Sequence, residues 1–156
     1  MADSTLTTAP TPNRRLLLIG GAALVVVAGG GYAAWSRDRF AGTELTPPEA
    51  LEAVRTGEIA MIDIRRPDEW EATGIAEGAH PIDMRRDDFV DALLQVTDGR
   101  RDVAVALICA RGVRSDRMSA RLSEAGFTQI VDVPEGMLGS RAGPGWVERG
   151  LPVRRP

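Results

Sequence analysis

Residues 103–115 read VAVALICARGVRS and decide the fold of this chain. The first six are apolar and uncharged, which is typical of a central parallel strand covered on both faces. Cys109 follows directly, and a helical pattern begins near Arg114. A loop that turns from a strand into a helix N-terminus directs successive backbone N–H groups inwards, and the helix dipole adds positive potential. The stretch therefore predicts an anion-binding cysteine loop at the edge of an α/β sheet where such folds bind ligands.

Helical and strand patterns alternate on both sides of this stretch. Thr46-Pro47-Pro48-Glu49 is a capping box with proline at the first helical position, so a helix is predicted to begin there and to close at Gly57. The other predicted elements are strands over 60–64, 103–108 and 130–133, helices over 67–73, 87–96 and about 114–125, and a loop over 74–81. This alternation predicts an α/β sandwich, with a mainly parallel central sheet between two helical layers.

Composition and charge exclude several classes of protein. All 19 basic residues are Arg, and against 22 acidic residues they give a net charge of −3, which is no nucleic-acid-binding footprint. Beyond residue 40 the chain holds 15 Arg and 20 acidic residues, a net charge of −5. The single cysteine excludes an intramolecular disulfide and a cysteine-cluster metal site, and no metal site is predicted.

The N-terminal part has a different character. Residues 16–35 are uncharged and apolar, and as a helix of about 20 residues they would cross a bilayer. We predict a disordered tail over 1–13, a transmembrane anchor or signal segment over 14–36, a linker over 37–43 and a folded domain over 44–156. A cleaved signal peptide and a buried helix of a soluble protein remain alternatives.

The orientation follows from the flanking charges. Arginines on the two sides balance in number, but the pair Arg14-Arg15 before the apolar run is also how export signals begin. We therefore expect an anchored domain on the extracytoplasmic, periplasmic side, or an exported one if the segment is cleaved.

Cys109 has the surroundings of a reactive thiol. Gly112 permits a positive φ within the loop, and Arg111 and Arg114 add positive charge, so the thiolate form is favoured near neutrality. Continuation of the apolar strand into the core is the alternative, since free cysteine is among the most buried residue types.

Three motifs together resemble the rhodanese homology domain, a sulfurtransferase module, over residues 44–154. The first is Met61-Ile62-Asp63-Ile64-Arg65 with Pro67, Glu69 and Trp70; the second is the loop from Cys109 to Arg114; the third is Gly150-Leu151-Pro152-Val153 after Trp146. The chain departs from the family at residues 73–79, which lack the usual histidine and carry one extra residue. It also has Glu135-Gly136 in place of a glycine pair, and a glycine-rich insertion over 138–145.

The resemblance implies a role for each residue of the loop. Cys109 would be the nucleophile that carries a persulfide, and the backbone amides of Ala110, Arg111, Gly112, Val113 and Arg114 would cradle it. Asp63 and Arg65 would support the loop and the sheet edge, with Arg65 either pairing with Glu69 or forming a plain surface ion pair. Apart from the resemblance, Arg114 closes the loop at the helix N-terminus, where positive potential converges, so we expect it to bind the anionic end of a sulfur donor. Arg111 would tune sulfur reactivity, or point to solvent and guide encounter.

A membrane-tethered sulfurtransferase or persulfide carrier is therefore the predicted function. Sulfane sulfur would pass from a small anionic donor such as thiosulfate to cyanide or a thiol, including a thiol on a protein, and no cofactor is implied. A non-catalytic or redox interaction module is the alternative. A phosphatase-related enzyme is disfavoured, because Cys109 to Arg114 is C-x4-R and phosphatases of related fold have C-x5-R. The one histidine, His80, is interpreted as a turn residue, and Trp70 and Trp146 as core.

Overall fold

A computed structural model of the chain describes residues 42–156. Its helices are α1 (Pro47–Arg55), α2 (Pro67–Thr73), α3 (Phe89–Val96), α4 (Val113–Glu124) and α5 (Gly145–Glu148). Its strands are β1 (Ala60–Asp63), β2 (Ile75–Ala76), β3 (His80–Pro81), β4 (Ala104–Ile108), β5 (Gln129–Asp132) and β6 (Val153–Arg154). The capping box predicted at the start of α1 is present, with the Thr46 N–H donating to Glu49 Oε2 at 2.9 Å.

The main sheet has the order β3-β1-β4-β5, and all of its pairings are parallel. This confirms the predicted mainly parallel sheet. In the register of the two central strands, Asp63 lies opposite Ile108, the residue before Cys109. The chain before α1 runs along the outer side of β5, where Glu44 forms a parallel bridge with Asp132.

The core lies on both faces of this sheet. On one face Met61, Ala106 and Val131 pack with residues of α1 and with Trp146 of α5. On the other face, side chains of the same strands that point the opposite way pack with α3 and α4; they include Ile62, Val105, Leu107, Phe89, Leu93, Met118 and Leu122. The alternation of strand side chains therefore produces three layers.

Two of the expectations require correction. The predicted loop over 74–81 contains β2, which pairs with β6 in a small antiparallel sheet, and β3, which pairs with the edge of β1. Each strand has only two residues, too few for a local periodicity to register. Trp146 is fully buried as expected, whereas Trp70 is only half-buried at the margin of the core.

The predicted tail and apolar segment lie outside the described residues. Within residues 42–156, no helix combines the length and the apolar character needed to cross a membrane.

Candidate active site

Cys109 lies at the carboxyl end of β4, where the chain turns into α4. Its side chain is buried, and Sγ accepts a hydrogen bond from the Gly112 N–H at 3.1 Å. Gly112 has φ +80°, and a Cβ there would collide with the carbonyl oxygen of Pro134. The loop therefore requires glycine at this position to place an N–H on the sulfur.

Ser115, one turn into the same helix, also faces the sulfur. It is fully buried, and its Oγ lies 3.8 Å from Cys109 Sγ while it donates to the Gly112 carbonyl at 2.7 Å. The contact of Ser115 with the loop was not predicted, although Ser115 directly follows Arg114 in the sequence.

Two carbonyl groups of the loop are held by the segment that follows β5. The N–H groups of Met137 and Leu138 donate to the carbonyls of Cys109 and Ala110, both at 2.9 Å. Gly136 approaches these carbonyls so closely that a Cβ would lie 2.6 Å from the Ala110 oxygen. These two carbonyls are thus engaged by the following segment, while the Gly112 N–H donates to the sulfur.

Arg114 is held by a carboxylate on another element. Its two terminal nitrogens donate to the two carboxylate oxygens of Glu69 on α2, at 2.7 and 2.6 Å. Hydrogen bonding by Arg114 lowers the pKa of Glu69, and Glu69 in turn raises the pKa of Arg114. The Arg114 guanidinium, which was expected to bind the anionic sulfur donor, is thus engaged by Glu69. Arg114 connects the loop to α2.

Asp63 and Arg65 form a buried ion pair beside the loop. Both are fully buried, with Arg65 Nη2 2.7 Å from Asp63 Oδ2 and Nε 2.9 Å from Oδ1. The guanidinium also donates to Thr73 Oγ1 at 2.7 Å and to the Gly74 carbonyl at 2.6 Å. Neither a surface pair nor pairing with the Glu69 side chain occurs, since Arg65 reaches only the Glu69 carbonyl, at 3.2 Å.

This ion pair explains how α2 is positioned. Arg65 links the end of β1 to the end of α2, and α2 carries Glu69 to Arg114. Hydrogen bonds of charged groups therefore connect Asp63, Arg65 and α2 to Arg114 at the end of the loop.

Arg111 is the loop arginine whose guanidinium is not paired with a carboxylate of the described residues. It is exposed, donates to the Gly139 carbonyl at 3.3 Å, and has no ion pair among the residues that the structure describes. Val113 is exposed at the start of α4, and Ala110 is half-buried. His80 is exposed on β3, with no hydrogen bond to the loop in the described part of the chain.

Glu135 has a structural role that the sequence did not reveal. It is buried, accepts from the Gly145 N–H at 2.9 Å, and pairs with Arg149 at 2.7 Å, which lowers its pKa. The signal was a glutamate where the resembled family has glycine. Its carboxylate fastens the glycine-rich insertion to the helix that follows.

Residues 42–156 contain no cluster of His, Cys, Asp and Glu side chains that could hold a metal ion. The chemistry available at this edge of the sheet is that of a thiol that accepts a backbone hydrogen bond.

Comparison with known proteins agrees with this geometry. The family model for the rhodanese-like domain matches residues 46–141. A tRNA uridine(34) hydroxylase from Legionella pneumophila (strain Corby) is 24% identical over 98 residues, which are 63% of this chain and 39% of that protein. The probable adenylyltransferase/sulfurtransferase MoeZ from Mycobacterium tuberculosis (strain CDC 1551 / Oshkosh) is 32% identical over 98 residues, 62% of this chain and 24% of that protein.

Among solved structures, the 30 kDa polysulfide-sulfur transferase homodimer from Wolinella succinogenes aligns with a TM-score of 0.58 and 21% identity. The alignment covers 85% of this chain and 90% of that one. At this identity the likeness shows the fold. The chain spans about two fifths of the first curated relative and about a quarter of the second.

Proposed function

This chain belongs to the rhodanese-like domain family, and we propose that it is a sulfurtransferase or persulfide carrier with Cys109 as its nucleophile. The hydrogen bond from the Gly112 N–H to Cys109 Sγ carries the proposal. A thiol that merely fills a core needs neither a backbone donor nor a loop that costs a left-handed glycine. The same donors that stabilise a thiolate would stabilise the terminal sulfur of a persulfide.

The reaction would proceed by double displacement. With thiosulfate as donor, the Cys109 thiolate attacks the outer sulfur, the sulfur–sulfur bond of the donor breaks, and sulfite leaves with the bonding electron pair. Cys109 then carries a persulfide anion. Cyanide or a thiolate attacks the outer sulfur of that persulfide, and the electron pair of the breaking bond returns to Cys109 Sγ. No external oxidant or reductant is required.

A phosphatase-related reaction is less well supported. Four residues separate Cys109 from Arg114, and the arginine that would bind a phosphoryl group is engaged by Glu69. A purely non-catalytic module is disfavoured by the intact cysteine and its donor.

Intact-mass spectrometry tests the proposal. Treatment with thiosulfate should add about 32 Da, removable by a reductant, as expected for one persulfide. Cys109→Ser should take up nothing, while Ser115→Ala, which leaves the thiol in place, should still be loaded. Sulfur retained by Cys109→Ser would refute the assignment.

We further propose that residues 16–35 anchor the domain in a membrane, with the domain on the extracytoplasmic side. Arg14-Arg15 ahead of the apolar run supports this topology. Alkaline phosphatase fused to the C-terminus should be active and a cytoplasmic fluorescent reporter dark. The reverse pattern would invert the topology, and a mature protein lacking about the first 35 residues would indicate a cleaved signal.

A further inference from the structure

Two large apolar side chains are exposed at the border of the cysteine loop. Val113, which begins α4, is 64% exposed, and Leu138, whose N–H donates to the Ala110 carbonyl, is 41% exposed. Cys109 by contrast is only 1% exposed. A partner that reaches the recessed sulfur would have to pass these two side chains and would cover them.

Three arginines around the same loop lack an acidic partner. Arg111, Arg117 and Arg141 are exposed, and none of them forms an ion pair with a described residue. Other exposed arginines are of two kinds: Arg55, Arg66, Arg85, Arg86 and Arg100 each lie within 4 Å of a carboxylate, whereas Arg101, Arg121, Arg154 and Arg155 have no ion pair with a described residue. The three arginines near the loop are therefore distinguished by their position beside Cys109, in a chain whose residues beyond position 40 carry a net charge of −5.

The elements that carry these side chains adjoin one another. Arg117 follows Val113 by four residues on α4 and so lies on the same side of that helix. Arg141 lies in the turn closed by the hydrogen bond from the Ser140 N–H to the Gly143 carbonyl. Ser140 Oγ donates to the Pro134 carbonyl, the oxygen that Gly112 approaches, so the turn is tied to the cysteine loop.

We call Arg111, Val113, Arg117, Leu138 and Arg141 the rim. Asp116 on α4 and Asp132 on β5 line, with Glu44, a cavity of about 270 Å³ that no rim residue lines. No rim arginine forms an ion pair with either aspartate.

We propose that the rim docks an acidic protein segment that carries the accepting cysteine, so that the physiological acceptor is a protein thiol. This inference rests on the proposed function. The acceptor thiolate would attack the outer sulfur of the Cys109 persulfide, and the bond between that sulfur and Cys109 Sγ would break. Its electron pair would return to Cys109, while the transferred sulfur would form a new sulfur–sulfur bond to the acceptor.

Paired acceptor peptides test the proposal on the full chain. The chain is loaded with labelled sulfur from thiosulfate and offered two cysteine peptides that differ only in glutamate or lysine flanks. Transfer to the acidic peptide should be about 10-fold faster at low salt, and the preference should fall as salt screens the charges. Arg117→Gln with Arg141→Gln should remove most of the preference and leave transfer to cyanide unchanged.

The matched control removes two exposed arginines outside the rim that likewise have no ion pair with a described residue, Arg101→Gln with Arg155→Gln, and should keep the preference. Equal rates with both peptides, or an equal loss in the control, would overturn the docking proposal while loading and transfer to cyanide left the proposed function intact. Rim-dependent binding to phosphatidylserine vesicles without a peptide preference would assign the surface to a membrane instead. Failure of Cys109 to load would overturn the proposed function, and the docking proposal with it.

Discussion

At the scale of single residues, the Cys109 sulfur accepts a hydrogen bond from the backbone of its own loop. The donor is the Gly112 N–H, and the carbonyl of the same residue accepts a hydrogen bond from Ser115 Oγ. Arginine charge acts at longer range, since Arg114 interacts electrostatically with Cys109 while both of its terminal nitrogens remain on Glu69. The shape of the loop and the charge near it therefore contribute separately to the reactivity of Cys109, and two substitutions distinguish the contributions.

The first prediction separates these contributions at Arg114. Arg114→Ala should raise the activation free energy derived from kcat/KM by about 1 to 3 kcal/mol, because the loop loses the two charge-assisted hydrogen bonds that hold it. Since the guanidinium is engaged by Glu69, the loss should be similar for thiosulfate and for an uncharged organic polysulfide. Glu69→Gln should release Arg114 and raise the preference for thiosulfate by roughly 2- to 10-fold.

Steady-state kinetics with both donors measures this effect, and thermal melts check that each variant is folded. A loss confined to thiosulfate in Arg114→Ala would show that Arg114 recognises the donor's charge despite its pairing with Glu69.

At the scale of elements, local pattern predicted those parts whose cause is local. The apolar run of β4, the capping box of α1 and the positive φ of Gly112 are written in consecutive residues, and all three are present. The Arg114–Glu69 pair was missed because it joins residues 45 positions apart. Burial of Arg65 was missed because charged side chains are almost never fully buried unless paired. Its partners Asp63, Thr73 and Gly74 are near in sequence, but the local pattern does not show that α2 brings them around the guanidinium.

The second prediction concerns the link between β1 and α2. Arg65→Ala or Asp63→Ala alone should destabilise the domain by about 3 to 5 kcal/mol, because either change leaves a buried charge without its partner. The double variant should cost less than the two single losses together, since no uncompensated charge remains.

Denaturant unfolding of the two single variants and the double variant forms the required cycle. Strict additivity would mean that the two side chains stabilise the fold independently, through packing and through the Thr73 and Gly74 contacts alone.

At the scale of the whole molecule, the stability of the domain is coupled to pH through carboxylates of two kinds. Hydrogen bonds from arginine lower the pKa of Glu69 and of Glu135, so their contribution is present above the unfolded value and is lost as pH falls through the lowered folded value. Asp132 behaves in the opposite way. Burial raises its pKa, and its Oδ1 is buried without a hydrogen-bond partner among the described residues. The sequence predicted a strand there, but not that its last carboxylate would be covered.

The third prediction follows from the sign of that shift. A carboxyl whose folded pKa lies above its unfolded value of 3.8 destabilises the fold once it is ionised, and this cost grows as pH rises from 3.8 through the folded pKa. Neighbouring Glu44 and Asp116 act in the same direction by repulsion. Asp132→Asn removes the charge and keeps the size, so it should raise the melting temperature by a few degrees at pH 7. The gain should disappear below about pH 3.8, where Asp132 is protonated in both states. Thermal melts of the wild-type protein and Asp132→Asn across this pH range measure the difference in melting temperature. The acid-induced losses that both proteins share cancel in that difference. A gain that persisted unchanged at low pH would mean that the amide stabilises β5 through new hydrogen bonds rather than through removal of a buried charge.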